Sequence, residues 1–381
     1  MLRPTVRLLA AAAMLGSGML HGAEGAADKT IPTTIPVTPV TVAAPQIEPT
    51  YEVIAGVDGE IFPSFASYAS LQRSSERRTA TLTIKIANPG SAPLRNRVSV
   101  QLPGWSDEEI QSTELAAGEQ RTLLFAPSFL PRFYANSEIA AATAVVKATD
   151  AAGNLVFTAT VPVRLRAADD MYWGENFKFS RFIASWVTPH DAAVEELLSR
   201  AKELAAGRRL PGYETWKPAQ EQQQSTTEQA RAIYRALQQR GLSYVKSSIT
   251  FGERTDISER IRMPHESLRQ ESANCIDGVV MYASMFENLA MDPVVVLIPG
   301  HALVGVRMMP GSDKFLYIDT VLTGRSDFES AVTAANAALA RYTADKIVRI
   351  SVADARRSGV FPMPAGDIPA QPVLQATTQG R

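Results

Sequence analysis

Residues 272–289, SANCIDGVVMYASMFENL, contain the one cysteine of a 381-residue chain. Apolar side chains follow it at helical spacing, at Val279, Ala283, Phe286 and Ala290. This spacing predicts a buried helix that begins at about Cys275. A cysteine at a helix N-terminus faces the positive end of the helix dipole and backbone N–H groups that lack helical partners, and both favour the thiolate.

The segment after this helix has the pattern of buried strands. MDPVVVLIPGHALVGVRMM (291–309) predicts two strands around a Pro-Gly turn, and His301 begins the second. DKFLYIDTVLTG (313–324) predicts a third strand that carries Asp319. A helix of about 15 residues and a returning strand would bring His301 beside Cys275, with Asp319 on the neighbouring strand.

Cys275, His301 and Asp319 are the residue types that acyl transfer through a thiol needs. A thiolate attacks an acyl carbon. Histidine takes the thiol proton and later gives a proton to the leaving group. Aspartate fixes the ring and supports the imidazolium. For a histidine or an aspartate alone, a strand-end structural role is the better explanation, but the three together favour a catalytic triad.

The stretch NCIDGVVMYASMFENLAMDPVVVLIPGHALVGVR, followed by LYIDT, resembles the core of the transglutaminase-like superfamily over about residues 228–325. The resemblance implies a papain-like α+β core, with Cys275 as nucleophile, His301 as base and Asp319 as orienting acid. Upstream, AIYRALQQRGLSYV (232–245) fits the helix and strand that precede the nucleophile in such domains.

Three further residues are candidates to support an oxyanion. Tyr244 lies on the predicted strand before a polar loop, although packing in the core is the more frequent role for such a residue. Gln270 lies five residues before Cys275, where loop polarity explains it equally well. Asn274 is also expected to cap the helix, together with Asp277.

No metal site or cofactor is predicted. The histidines outside the triad, His21, His190 and His265, share no ligand spacing. The chain has no phosphate-binding loop, dinucleotide-binding fingerprint or GxSxG motif.

Residues 51–167 are predicted to be all-β. TATLTIKIANPG (79–90) alternates apolar and polar side chains and stops at a turn signal, and RVSVQLPG (97–104) repeats the pattern. Short strands at this spacing favour an immunoglobulin-like sandwich. We expect this domain to precede a transglutaminase-like domain over residues 168–363.

The remaining segments are predicted to lie outside both domains. Residues 1–23 have the basic start, apolar run and small-residue end of a signal peptide, so the protein is expected to be exported to a bacterial periplasm. Residues 24–50 are a Pro/Thr-rich linker, with five prolines in residues 29–50. Residues 364–381 are expected to be a disordered tail.

The charge balance argues against nucleic acid and anionic membranes as partners. The chain has 38 basic and 39 acidic side chains, without a basic stripe. No apolar run after the signal approaches the roughly 20 residues of a membrane span. The expected partner is a peptide or protein substrate in the cell envelope, while the oligomeric state is left open.

The leading hypothesis is therefore an exported cysteine peptidase, amidase or acyltransferase that works through an acyl-enzyme, with hydrolysis favoured over transfer to an amine. The alternative is a non-catalytic binding or scaffold protein with the same fold, because fold does not decide function. A cell-wall cysteine amidase ranks lowest, since those domains carry Asp directly before the cysteine and Ser-Gly after it, where this chain has NCIDG.

Overall fold

The computed structural model describes residues 48–72, 80–246 and 258–364, together with the backbone of Val6–Leu8. The fold is mixed α+β, as expected from the sequence. The strands are β1 (Val6–Leu8), β2 (Thr50–Ala55), β3 (Glu60–Ile61), β4 (Leu82–Ala87), β5 (Leu94–Gln101), β6 (Glu109–Leu115), β7 (Gln120–Phe125), β8 (Ala140–Thr149), β9 (Leu155–Leu165), β10 (Asp170–Tyr172), β11 (Ser243–Tyr244), β12 (Ser258–Arg260), β13 (Ser272–Ala273), β14 (Pro293–Ile298), β15 (His301–Arg307), β16 (Phe315–Ile318) and β17 (Val348–Ser351). The helices are α1 (Pro63–Ser70), α2 (Pro131–Tyr134), α3 (Ala192–Leu204), α4 (Ala219–Arg240), α5 (Pro264–Gln270), α6 (Cys275–Asn288), α7 (Phe328–Leu339) and α8 (Val352–Arg357).

Residues 50–165 are called here the two-sheet unit. Together with β1, they form two sheets with the strand orders β1-β2-β4-β7 and β3-β9-β8-β5-β6. Along β9, buried residues alternate with exposed ones, because successive side chains of a strand point to opposite faces. The inward side chains of both sheets share one core, which includes Ile84, Val98, Phe125, Val146 and Val163. Residues 51–167 are thus mainly β, as expected from the alternating pattern.

Helix α1 departs from the all-β expectation for residues 51–167. It begins at Pro63 in the first position, where proline's missing N–H costs no helical hydrogen bond. Its Phe65 and Tyr68 are buried against Phe182, with ring centroids 4.5 and 5.1 Å away. Contacts with a residue more than 100 positions later stabilise this helix, and local sequence patterns do not reveal such contacts.

Residues 170–363, called here the helix–sheet unit, contain an antiparallel sheet of strand order β16-β15-β14-β17. All six residues of β14 are buried. Val295 and Leu297 on one face belong to the core that includes α6. Val294 and Val296 on the other face pack with Ala335 of α7. Helices on both faces explain the uninterrupted apolar run of this strand.

Hydrogen bonds and ion pairs join the two units near residue 168. Strand β10 pairs antiparallel with β12, which lies just before α5. Arg166 Nε lies 2.9 Å from Asp170 Oδ2, and its Nη1 lies 3.3 Å from Glu60 Oε1. These contacts tie the two-sheet unit to the strand that leads toward the Cys275 region.

Most of the predicted signal peptide, linker and tail lies outside the described residues. Within residues 1–23, the backbone of β1 pairs antiparallel with β2, so cleavage of the predicted signal would remove that strand. Thr50, at the end of the predicted linker, already belongs to β2. Among the described residues, no helix combines the length and the apolar character that a membrane crossing requires.

Candidate active site

Cys275 is the first residue of α6. Asn274 caps the helix, since its Oδ1 accepts from the Asp277 backbone N–H at 2.8 Å. Asp277 Oδ2 in turn accepts from the Asn274 N–H at 3.1 Å, which completes a capping box. The first N–H groups of a helix have no carbonyl one turn before them, so those at Cys275 and Ile276 take no part in the helical ladder. The partly exposed thiol of Cys275 therefore lies at the positive end of α6.

The imidazole of His301 is bonded to the carboxylate of Asp319. His301 is the first residue of β15, and Asp319 follows β16, its antiparallel neighbour. His301 Nε2 lies 3.1 Å from Asp319 Oδ1. The same oxygen accepts from the Val321 N–H at 3.2 Å and caps the short helix Thr320–Leu322. This second bond fixes the carboxylate that orients the imidazole ring.

The surroundings of His301 favour its protonated form. Burial is the largest influence and opposes the charge, but hydrogen bonds and charges at Asp319 and Cys275 outweigh it and raise the pKa of His301 to about 9. Because Asp319 occupies Nε2, Nδ1 is the ring nitrogen left for the thiol. The His301 and Asp319 side chains are 24% and 14% exposed, so solvent reaches the imidazole ring.

Thr320 links the loop after Asp319 to the start of α6. Its Oγ1 donates to the Cys275 carbonyl oxygen at 3.2 Å. Gly278 makes this approach feasible, because a Cβ at that position would lie 2.6 Å from Thr320 Oγ1. The Cys275–His301–Asp319 arrangement is thus held together from the Asp319 side as well as through the sheet.

Tyr244 lies beside Cys275 and is not a core residue. It pairs with Ala273, two residues before Cys275, in the parallel pair β11–β13. Tyr244 is 37% exposed. The expectation that it more often packs in the core is therefore wrong for this residue. Burial is the main reason that the pKa of Tyr244 is raised, and the charges at Cys275 and Asp319 act in the same direction while Arg325 opposes them.

The other two candidate support residues occupy different surroundings. Asn274 adjoins the nucleophile, and its Oδ1 is engaged in the cap. Gln270 is exposed at the last position of α5, where the chain turns through Glu271 at φ 49°. No hydrogen bond between described residues joins Gln270 to Cys275, His301 or Asp319. The structure thus brings Asn274 and Tyr244 to the site, but not Gln270 by any such bond.

Two contacts near Cys275, made by Thr320 and Arg262, were not predicted from the sequence. Thr320 was not singled out, although its position directly after Asp319 is a usable signal once that strand is recognised. Arg262 donates its backbone N–H to Asp277 Oδ1 at 2.9 Å and places Nη1 3.4 Å from Oδ2. No local pattern predicts this contact across 15 residues. Burial raises the pKa of Asp277, and these donors oppose that effect.

Two other histidines, His190 and His265, lie within the described residues, and both line one cavity. His265 Nδ1 lies 2.8 Å from Asp191 Oδ2, and this bond is the main reason that its pKa is raised. His265 and Asp191 line a cavity of about 450 Å³ between the two units, which none of the triad residues lines. In the described part of the chain, no three metal-ligating side chains form a cluster.

Comparisons with known proteins add little to this geometry. No family model and no curated protein matches the chain. Among solved structures, a FixG-related protein from Vibrio parahaemolyticus matches 23% of this chain and 75% of its own, at 21% sequence identity and a TM-score of 0.15. This likeness is too small to assign a fold or an activity.

Proposed function

We propose that this protein is a cysteine-dependent enzyme that hydrolyses a peptide or amide bond through an acyl-enzyme. One observation carries the proposal: the only thiol of the chain lies at a helix N-terminus beside an imidazole that Asp319 orients at 3.1 Å. A structural cysteine would be expected to be fully buried and to have no histidine beside it, whereas Cys275 is partly exposed. We further propose that the helix–sheet unit has a transglutaminase-like core, that the two-sheet unit is immunoglobulin-like, and that the protein is exported.

The reaction begins with the Cys275 thiolate and the His301 imidazolium. The sulfur attacks the substrate carbonyl carbon and forms a C–S bond, and the carbonyl electrons move to oxygen. When the oxyanion collapses, the C–N bond breaks and His301 gives its proton to the leaving amine. His301 then takes a proton from water, the hydroxide attacks the thioester, and the thiolate leaves as the carboxylic acid forms. Asp319 holds the ring throughout.

The start of α6 supplies groups for the oxyanion. The Cys275 backbone N–H lies outside the helical hydrogen bonds, and the helix dipole adds a positive potential there. We propose the Tyr244 hydroxyl as a second donor, because Tyr244 pairs with Ala273, two residues before Cys275, and the charge at Cys275 acts on its hydroxyl. The Asn274 amide nitrogen is a third candidate, since only Oδ1 is used in the cap.

Hydrolysis is favoured over transfer to an amine because the reacting groups are open to solvent. An acyl-transfer enzyme needs a site that excludes water from the thioester. Here Cys275 is partly exposed and the His301 side chain is 24% exposed. Water therefore has direct access to an intermediate at this position.

A second candidate function is binding without catalysis. The cavity between the units favours it, because none of the triad residues lines that cavity. A ligand or partner segment held there would not need the thiol. The pH dependence of Cys275 alkylation separates this function from the first, because binding in that cavity does not require an activated thiol.

The test is the pH dependence of iodoacetamide alkylation in the wild type and in His301→Ala. Because Cys275 is the only cysteine, all thiol labelling reports on it, and Cys275→Ala supplies the blank. We expect the wild-type thiol to react faster than that of His301→Ala, and the two rates to differ in their dependence on pH. Identical profiles, or no reaction in the folded wild type, would overturn the proposal.

A further inference from the structure

The turn that follows Asp319 carries Arg325 toward the Cys275 site. This turn begins at Thr320, whose Oγ1 is bonded to the Cys275 carbonyl at 3.2 Å. The Arg325 backbone N–H donates to the Leu322 carbonyl at 2.9 Å. Arg325 therefore belongs to the same compact turn that touches the peptide group of the proposed nucleophile.

Buried side chains hold this turn in place. The Tyr234 hydroxyl and the Gln238 amide both donate to the Ser326 carbonyl, at 3.0 and 2.7 Å. Thr323 is buried, and its Oγ1 lies 3.0 Å from the Tyr282 hydroxyl. These bonds flank Arg325 on both sides along the chain, so its backbone position is fixed although its side chain is exposed.

Close packing of the turn against β11 brings Arg325 to Tyr244. A Cβ on Gly324 would overlap the carbonyl oxygen of Leu242, so this approach needs a glycine. The Arg325 guanidinium carbon lies 5.7 Å from the centroid of the Tyr244 ring, within the range of a cation–π interaction. Tyr244 pairs in turn with Ala273, two residues before Cys275.

Arg325 has no carboxylate partner among the described residues, unlike other arginines of the same unit. Arg356 pairs with Glu287 at 2.8 Å, and Arg231 pairs with Glu329 at 2.8 Å. The Arg325 guanidinium stacks on an aromatic ring and keeps its fork of N–H donors for another group. Such a fork matches the geometry of a carboxylate.

We propose that Arg325 forms an anion subsite that binds the carboxylate of an Asp or Glu side chain in a peptide substrate, next to the carbonyl that Cys275 attacks. The subsite rests on the proposed function and gives it a substrate class, acidic peptides. An acidic side chain docked on Arg325 would hold the scissile carbonyl near the sulfur and raise its effective concentration there.

The test uses two nearly isosteric alkylating reagents, N-bromoacetyl-glutamate amide and N-bromoacetyl-glutamine amide. Both label only Cys275, and they differ in one negative charge. We expect the Glu reagent to react faster at low salt, and Arg325→Gln to lower the Glu-to-Gln rate ratio roughly three- to tenfold. Arg325→Lys should keep part of the preference. Arg97→Gln, the same charge change in the two-sheet unit, should leave the ratio unchanged.

The two rates separate this subsite from the proposed function. The Gln reagent reports thiol reactivity without the added charge, so the ratio of the two rates isolates the interaction of the carboxylate with Arg325 from any change in the thiol itself. An unchanged ratio in Arg325→Gln would overturn the subsite, as would an equal fall in both rates. If the Gln reagent fails to label the wild type, or labels His301→Ala as fast, the proposed function fails and the subsite fails with it.

Discussion

The two units of this protein bury their strands in different ways. In the two-sheet unit, β9 alternates exposed and buried residues because one face of its sheet meets water. In the helix–sheet unit, β14 is buried along its whole length because α6 and α7 cover both faces. Only the second arrangement places a helix N-terminus against a sheet, which brings backbone donors and a thiol next to side chains at the strand ends. We infer that chemistry resides in the helix–sheet unit.

Removing the proposed orienting acid, Asp319, should have the largest effect on the reaction rate. Its effect should be limited to the helix–sheet unit. Asp319→Asn leaves a side chain of similar shape but removes the charge that supports the His301 imidazolium. We expect the rate of Cys275 acylation by a peptide ester to fall by about 10² to 10⁴, measured by single-turnover mass spectrometry. A rate within twofold of the wild type would contradict the role of Asp319.

A core truncation in the two-sheet unit should affect stability and leave the thiol unchanged. Phe125 is fully buried in the shared core of the two sheets. We expect Phe125→Ala to cost about 3–5 kcal/mol of unfolding free energy for its unit, measured by urea denaturation. In the folded fraction, the rate of iodoacetamide labelling should equal the wild-type rate. A changed rate would show that the two-sheet unit acts on Cys275.

The raised pKa of His301 should make the stability of the helix–sheet unit depend on pH. The folded pKa of about 9 exceeds the ordinary histidine value of 6.5. The group therefore adds stability that is fully present below pH 6.5 and is lost as the pH rises through 9. We expect the advantage of the wild type over His301→Gln to approach about 3 kcal/mol at low pH. Urea denaturation from pH 6 to pH 10 measures it, and a constant difference would contradict this expectation.

Two glycines, one in each unit, should give the smallest effects and for different reasons. Gly118 has φ +73° with open space around it, so Gly118→Ala should cost about 1–2 kcal/mol through backbone strain alone. Gly278→Ala should cost about 1–3 kcal/mol, because its Cβ would meet Thr320. Thermal denaturation measures both. Only Gly278→Ala should also slow Cys275 labelling, and equal labelling in the two variants would contradict the proposed role of the Thr320 contact.

Local periodicity predicted several elements of both units well, because each is long or strongly patterned. The start of α6, the buried run of β14 and the alternation around β4 follow from spacing alone. The triad itself stays a prediction that rests on the observed His301–Asp319 bond and on the neighbourhood of Cys275. The polar character of the stretch before Cys275 gave no clue to which side chains reach it.

What the sequence did not indicate depends on contacts between distant segments. Helix α1 contains small residues and two aromatics, and its burial requires Phe182. Core packing was the more frequent role expected of Tyr244, and no local pattern shows that β11 forms a two-stranded pair with β13. The Thr320 and Arg325 contacts depend on how one turn packs against α6 and β11, and no single-segment pattern encodes that packing.

Because of helix α1, the helix–sheet unit is not complete without part of the preceding unit. Phe65 and Tyr68 of this helix, with Phe62 just before it, complete the core of the helix–sheet unit, although the chain enters that unit only about a hundred residues later. A fragment that begins at residue 168 would expose the rings of Tyr172, Phe179 and Phe182, which these aromatics cover. Such a fragment would be prone to aggregate, and grafting it onto another carrier domain would require α1 as well. We therefore expect the helix–sheet unit to need the α1 segment of the two-sheet unit in order to fold.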